Sequence, residues 1–449
     1  MSYVCVDWPN LAEKKQAYKF PNIASDILST MNDRIAEFFS NVPKPMSFVH
    51  CETFIRFFID MKDVPNRDFN YTRSSYICKI LNAMIVHRSG VFAVYFLNHE
   101  DFASLLIASS HCKSVCFTLL TFVTLLTWTS PTALIMGTSQ PVFERQGEMP
   151  KSTLSEDLVS QSLERRMNIF NELVYQCLQT FEHEEFVEVH ENLVWVISQI
   201  LNKNCIERVL FVNSCLEKLP LFVESIALNF ENVRSDRLLS LFLTIFDIMI
   251  KESAADTDFE QEYCIQELPL YLSIFIKALG KEVALENSIR GEKRQVTNSA
   301  ATEFAQANSK TYKVLELVNL ATGLYISNIN YVQEVLVSTG LSGYLFSFYT
   351  NYPLNNVLHN LVTKLLLLIL RKGSDELADF YFAENEAFVQ FIDYLTKEKQ
   401  NQQEQDRNKK IGFIGQTISI LNELKQKCTN EMKTFSQGEV IRVSLEEVH

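Results

Sequence analysis

One feature constrains this chain more than any other. Apolar side chains recur at helical spacing along nearly its whole length, and no region alternates at period two for long enough to build a sheet. Clear helical segments are 23–39, 76–97, 167–181, 192–201, 236–250, 268–279, 311–326 and 388–395. Each spans a few turns, and most connections between them are short. Only 12 glycines and 11 prolines occur in 449 residues, so breakers are too sparse for many strands and tight turns. A chain this long outgrows one compact core. Helices joined in pairs over hundreds of residues therefore predict an all-α fold, a curved α-solenoid of HEAT- or armadillo-like helical repeats. No strict sequence repeat is present, but degenerate units keep only the apolar pattern.

The polar stretches divide this pattern. Residues 137–165 carry Pro141 and Pro150, and residues 280–310 hold few large apolar side chains after Leu285. Both read as mobile insertions in a single helical-repeat domain over 1–435. Residues 396–410 contain no apolar side chain and read as a loop or a solvated helix extension. The segment 436–449 reads as a loosely held tail.

Composition excludes several function classes. A net charge of −13 is the wrong sign for a nucleic-acid surface. The ten cysteines form no CxxC, and Cys116, Cys177 and Cys215 lie inside apolar helical runs, which predicts reduced, buried thiols. The start, MSYVCVDWPNLAEKK, shows no basic region followed by an apolar one, so a cytoplasmic or nuclear location is expected. Residues 114–143 carry no charge and imitate a membrane span. Thr118, Thr121, Thr124 and Thr127 interrupt them with a polar stripe, and Pro131 ends the run early, so a buried helix is expected.

Motifs for chemistry are absent or incomplete. In HEEFVEVHE (183–191) the two histidines are seven residues apart, roughly 10.5 Å along a helix, too far to share a metal simply. Its glutamates read as a solvated acidic face. His111, Cys112 and Cys116 could give zinc ligands, but no second Cys/His pair accompanies them. Neither GxGxxG, GxxxxGK[ST] nor GxSxG occurs. No catalytic residue, metal site or cofactor is expected, and a binding protein fits better than an enzyme.

The most unusual polar stretch is NYPLNNVLHN (351–360), set between two apolar runs. Pro353, Asn355, Asn356 and His359 are more equipment than a plain surface turn needs. Pro353 can occupy the first turn of a helix. The two amides can bond backbone groups that a tight corner leaves unpaired. His359, one turn on, can share their face. Either these residues only build the corner, or they also meet a partner.

This stretch resembles the signature of the SAPS-domain family, the regulatory subunits of protein phosphatase 6 and its fungal counterpart. The family motif runs aromatic-Pro-Trp-Asn-Asn-x-Leu-His. Tyr352, Pro353, Asn355, Asn356, Leu358 and His359 match it, and Leu354 stands in place of the tryptophan. AYKFPNIASDIL (17–28) is similar to an early family motif through Tyr18, Lys19, Phe20, Pro21, Ala24 and Ile27. Residues 311–341 look like the helix pair upstream of the Asn-Asn motif. KIGFIGQTISILN (410–422) is similar to a later segment through Gly412, Phe413, Gly415, Ile420 and Asn422. The resemblance covers 311–425 and 17–39; between about 40 and 280 only the helix pattern agrees.

The resemblance implies a scaffold that binds a phosphatase-6-type Ser/Thr catalytic subunit and directs its activity, with a third scaffold subunit as a further candidate partner. The alternative is a generic armadillo/HEAT-like adaptor without phosphatase binding. Tyr18, Lys19, Tyr352, Asn355, Asn356 and His359 are the candidate partner contacts. Phe20 and Pro21 are expected to fix the start of a helix, and Pro353 that of another. Gly412 and Gly415 are expected to permit close helix approach. Neither nucleic acid nor membrane is an expected partner.

Overall fold

The computed structural model describes residues 19–40, 49–61, 70–87, 90–125, 155–181, 183–202, 208–230, 232–253, 261–296, 309–325, 330–404 and 413–430. Every regular element among them is helical, and no strand occurs among the described residues. The all-α expectation holds. The fold gathers into two compact units, Met1–Phe222 with Thr244–Ile248, and Val223–Leu243 with Met249–His449.

The first unit holds α1 (Phe20–Leu28), α2 (Asp33–Ser40), α3 (Val49–Met61), α4 (Tyr71–Ile85), α5 (Val91–Asn98), α6 (Phe102–Ala108) and α7 (Lys113–Thr124). It continues through α8 (Glu156–Gln161), α9 (Leu163–Phe181), α10 (Val187–Leu201) and α11 (Arg208–Leu216). Helix α7 is its centre, packed against α4, α9 and α10. Its threonines are not a surface stripe. Thr118, Thr121 and Thr124 are buried and donate to the carbonyls of Ser114, Phe117 and Leu120 four residues back, at 3.2, 2.9 and 2.7 Å. Those bonds satisfy the hydroxyls inside the core, so an apolar helix carries threonine without needing water.

Arg166 of α9, fully buried, reaches the end of α7. Its guanidinium donates to Val123 O at 3.1 Å and Val159 O at 2.7 Å, and its Nε to Ser162 Oγ at 3.1 Å. A cation at a helix C-terminus meets carbonyls without intrahelical partners and the negative end of the dipole.

No single helix among the described residues is long and apolar enough to cross a membrane. The bent pair α5–α6 qualifies by composition alone, and its Phe92, Ala93, Phe96, Phe102 and Leu106 are buried in the fold. Cys51, Cys78, Cys112, Cys116, Cys177 and Cys215 are free thiols and all buried. Burial pushes the Cys51 and Cys78 thiols up to about 12.

Helices α12 (Leu219–Leu228) and α13 (Val233–Ser253) contain the division between the units. The second unit continues with α14 (Gln261–Val296), α15 (Ser309–Tyr325), α16 (Asn330–Ser338), α17 (Ser342–Leu345), α18 (Ser347–Asn351) and α19 (Asn356–Lys372). A short α20 (Asp375–Ala378), a π-helical turn (Asp379–Ala383), α21 (Glu386–Glu404) and α22 (Ile414–Asn430) complete it. Helix α19 is the axis here, flanked by α15 on one side and α22 on another.

Parts of both expected insertions are helical among the described residues. Residues 156–165 are already helical, opened by the Ser155 side chain accepting from Leu158 N at 3.4 Å. Helix α14 runs to Val296. The stretch KEVALENSIRGEKR is poor in large apolar groups yet rich in Ala, Glu, Lys and Arg, which favour helix on propensity alone. The rest of both stretches, and the tail at 436–449, lie outside the described residues.

Candidate functional site

The corner between α18 and α19 is built from the backbone outward. Tyr352 N donates to Phe348 O at 3.3 Å, Asn355 N to Tyr352 O at 2.9 Å, and Asn356 N to Leu354 O at 3.2 Å. Asn355 is the N-cap of α19, its Oδ1 accepting from Leu358 N at 3.1 Å. The cap satisfies one of the amide groups that every helix start leaves unpaired. Its Nδ2 donates to the Tyr312 hydroxyl on α15. One amide therefore starts a helix and ties it to its neighbour. Asn319, buried on the same neighbour, donates to Leu315 O at 2.8 Å and to Leu361 O at 2.9 Å, a second tie between α15 and α19.

His359 is fully buried. Its ring stacks on Tyr349 at 5.0 Å between centroids and meets Phe413 edge-on at 5.2 Å. Tyr349 and Phe413 also touch each other and Phe391. The Tyr349 hydroxyl lies 2.7 Å from Thr363 Oγ1, and Thr363 donates to His359 O at 2.6 Å. Neither imidazole nitrogen has a hydrogen bond of good geometry among the described residues, although the Phe348 and Tyr352 carbonyls lie close enough to interact with the ring. Burial pushes the ring's pKa down from 6.5 to about 4, while the nearby carbonyls of Phe348 and Tyr352 pull the other way. At neutral pH the ring is uncharged and behaves as an aromatic core residue.

This geometry sorts the candidate residues. Tyr352 and His359 are core side chains, 4% and 0% exposed, and present nothing to a partner in this conformation. Asn355 is half-buried and engaged as a cap. Asn356 is exposed, as are Pro353, Leu354 and Val357. Leu354, where the motif has tryptophan, is 56% exposed. Pro353 sits in the turn and not in the first turn of α19, which begins at Asn356. The reason is local: Asn355 can cap and Pro353 cannot.

Of the N-terminal motif, Tyr18 lies outside the described residues. Lys19 and Phe20 are exposed, and Pro21 is buried at the start of α1, where a missing amide hydrogen costs nothing. Gly412 also lies outside the described residues. Gly415 is exposed, and a Cβ there would meet open space, so it permits no close approach. Close approaches occur instead at Gly373, where a Cβ would come within 2.5 Å of Ile369 O, and at Gly280 on α14, where it would come within 3.2 Å of the Tyr344 ring. Tyr344 is held there by its hydroxyl donating to Ile276 O at 2.9 Å.

Sequence reasoning passed over Tyr312, Tyr349 and Thr363, and named Phe413 only as part of the resemblance, yet these four hold the corner. The signal for two of them was present: Tyr349 ends the aromatic run YLFSFY, and Phe413 sits inside the GFIG stretch whose glycines drew attention instead.

The other motif, HEEFVEVHE, also resolves into a corner. His183 is exposed, while His190 on α10 is fully buried with Nδ1 3.0 Å from Cys177 O. No group of three or more metal-ligating side chains occurs among the described residues.

Residues 330–447 match a family model, SAPS, described as SIT4 phosphatase-associated protein. This agrees with the resemblance carried by the Asn-Asn-x-Leu-His corner and by the 410–422 segment. The match begins after α15 and does not reach the similar segments at 17–39 and 311–329. No curated protein matches the chain.

Proposed function

We propose, from the SAPS match over 330–447, that this chain is a regulatory scaffold that binds a phosphatase-6-type Ser/Thr catalytic subunit and directs its activity. The observation that carries the reading is the coincidence of that match with the corner at 352–359, whose motif residues are organised as one packed and capped unit. A helical scaffold supplies surface, and the phosphatase supplies metal and catalysis. The helices are read as one curved array of HEAT- or armadillo-like pairs, working in the cytoplasm, with room for a third subunit. Specific interfaces of this kind bury roughly 1,200–2,000 Å².

The exposed residues of the corner, Leu354, Asn356 and Val357, are the proposed contacts there. Tyr352, Asn355 and His359 position them. The decisive measurement uses the purified full chain and a purified phosphatase-6-type catalytic subunit. A complex on size exclusion with a defined Kd is expected, together with no phosphoester hydrolysis by the chain alone. Absence of a complex at micromolar concentrations of both proteins would remove this reading and favour the generic adaptor.

A further inference from the structure

The first unit contains an open groove of about 580 Å³ lined by residues of α8, α9 and α11. The volume lies in the ordinary range for ligand sites. Its lining includes the polar side chains of Glu164, Asn171, Asn213 and Glu217 and the apolar ones of Met167 and Leu210. Ser214, buried on α11, donates to Asn171 Oδ1 on α9, which fixes the two walls against each other.

The charges are one-sided. No lysine or arginine lines the groove. The two arginines that follow Glu164 are committed elsewhere: Arg165 donates to Leu97 O at 3.0 Å, and Arg166 is buried against Val123 and Val159. Neither Glu164 nor Glu217 makes an ion pair among the described residues. Both are exposed. Leu210, 43% exposed, is an apolar surface that a ligand would cover.

We propose that this groove binds an arginine side chain of a basic peptide segment on a protein partner. An arginine carries an apolar stem and a planar cationic head. Met167 and Leu210 fit the stem. Glu164 and Glu217 fit the guanidinium, whose five N–H donors need acceptors, and the amide oxygens of the walls complete the set. An anionic ligand would meet two carboxylates and no cation. A purely apolar one would leave the polar walls desolvated and unpaired. The site is separate from the SAPS match, and phosphatase binding neither requires it nor tests it.

The test uses the full chain and a fluorescein-labelled peptide with two arginines spaced by leucines. The control is the same peptide with citrulline for arginine, which keeps the shape and removes the charge. Anisotropy should show saturable binding of the arginine peptide and at least tenfold weaker binding of the citrulline peptide. The double variant E164Q/E217Q should lose at least tenfold in affinity, and E217K should abolish binding. Circular dichroism and melting should stay at wild-type values, because both glutamates are exposed. No binding of the arginine peptide to the wild type, equal binding of the citrulline peptide, or wild-type affinity in the folded double variant would each overturn the proposal.

Discussion

The two units solve the same local problem in different ways. Each has a helix whose fourth residue is a fully buried histidine: His190 in α10 and His359 in α19. Each histidine lies against an aromatic ring, Phe181 at 5.4 Å and Tyr349 at 5.0 Å. The polar contacts differ. His190 meets the Cys177 carbonyl of the neighbouring helix at 3.0 Å, whereas the nitrogens of His359 have no hydrogen bond of good geometry among the described residues and its ring lies between Tyr349 and Phe413. The helix starts differ too. Asn355 caps α19 through its side chain, while Phe186 precedes α10 without such a bond. The unit that carries the SAPS match thus spends its polar side chains on the backbone and keeps its histidine as an aromatic. The other bonds its histidine and leaves the helix start bare.

The largest effect should come from removing an aromatic wall. Phe413→Ala deletes the ring that closes over His359 and Tyr349, and should cost about 3–5 kcal/mol in denaturant unfolding. Phe181→Ala in the other corner should cost a similar amount. If Phe413→Ala costs less than about 1 kcal/mol, the corner is not part of a packed core and the comparison fails.

A pH dependence should separate the two histidines next. With its pKa lowered to about 4, His359 is neutral in the folded state down to that pH, whereas in the unfolded chain it takes up a proton below about 6.5. The unfolded state then binds more protons between those values. Stability is therefore complete above pH 6.5 and falls as the pH drops toward 4, by at most about 1.4 kcal/mol per pH unit. His359→Leu should remove that slope and, because the neutral ring packs as an aromatic between Tyr349 and Phe413, leave stability at pH 7 within about 1.5 kcal/mol of wild type. His190→Leu should be worse tolerated at pH 7, since it removes a buried hydrogen bond between α10 and α9, although the Cys177 carbonyl keeps the Thr180 hydroxyl at 3.2 Å. An imidazole NMR titration of His359 with a midpoint near 6.5 would contradict the assignment.

How far the sequence foretold this difference depends on the scale of the question. Helical periodicity was enough for the all-α class, because burial on one face leaves a mark every three to four residues. The motif at 352–359 was visible for the same reason that it is unusual: an Asn-Asn pair and a histidine between apolar helices need a structural explanation. The direction in which each side chain points was not visible. His359 was a candidate surface contact until its three-dimensional neighbours placed it between two rings that lie 10 residues before it and 54 after it. The glycines misled for a related reason. Local spacing cannot tell a glycine against a neighbour, such as Gly280 under Tyr344, from one in open solvent, such as Gly415.

Exchanging the caps sharpens the comparison at a smaller scale. Asn355→Ala should cost about 0.5–2 kcal/mol for the cap, together with the bond to Tyr312. Phe186→Ser supplies the missing oxygen at the start of α10 and should add up to about 1 kcal/mol, less what the exposed ring contributes. Both are read as shifts in denaturant midpoint with the slope unchanged. A neutral Asn355→Ala would mean that the Asn-Asn motif is not needed for folding, and would move its role wholly to partner contact.

The smallest effect tests whether the second unit's corner is held by packing or by backbone preference. Gly415 opens α22 two residues after Phe413, the ring that covers His359. A Cβ at this position meets nothing within 4 Å, and no left-handed backbone conformation calls for glycine. Gly415→Ala therefore introduces no clash and reduces the freedom of the unfolded chain, for a gain of about 0.5 kcal/mol. The gain is modest because residues in the first turn of a helix benefit less from propensity than those in its interior. Should Gly415→Ala instead destabilise by more than about 1 kcal/mol, α22 must approach a neighbour at that point. The glycine would then belong to the packed corner beside Phe413, and the division drawn here between a buried aromatic face and an open glycine face of α22 would be wrong.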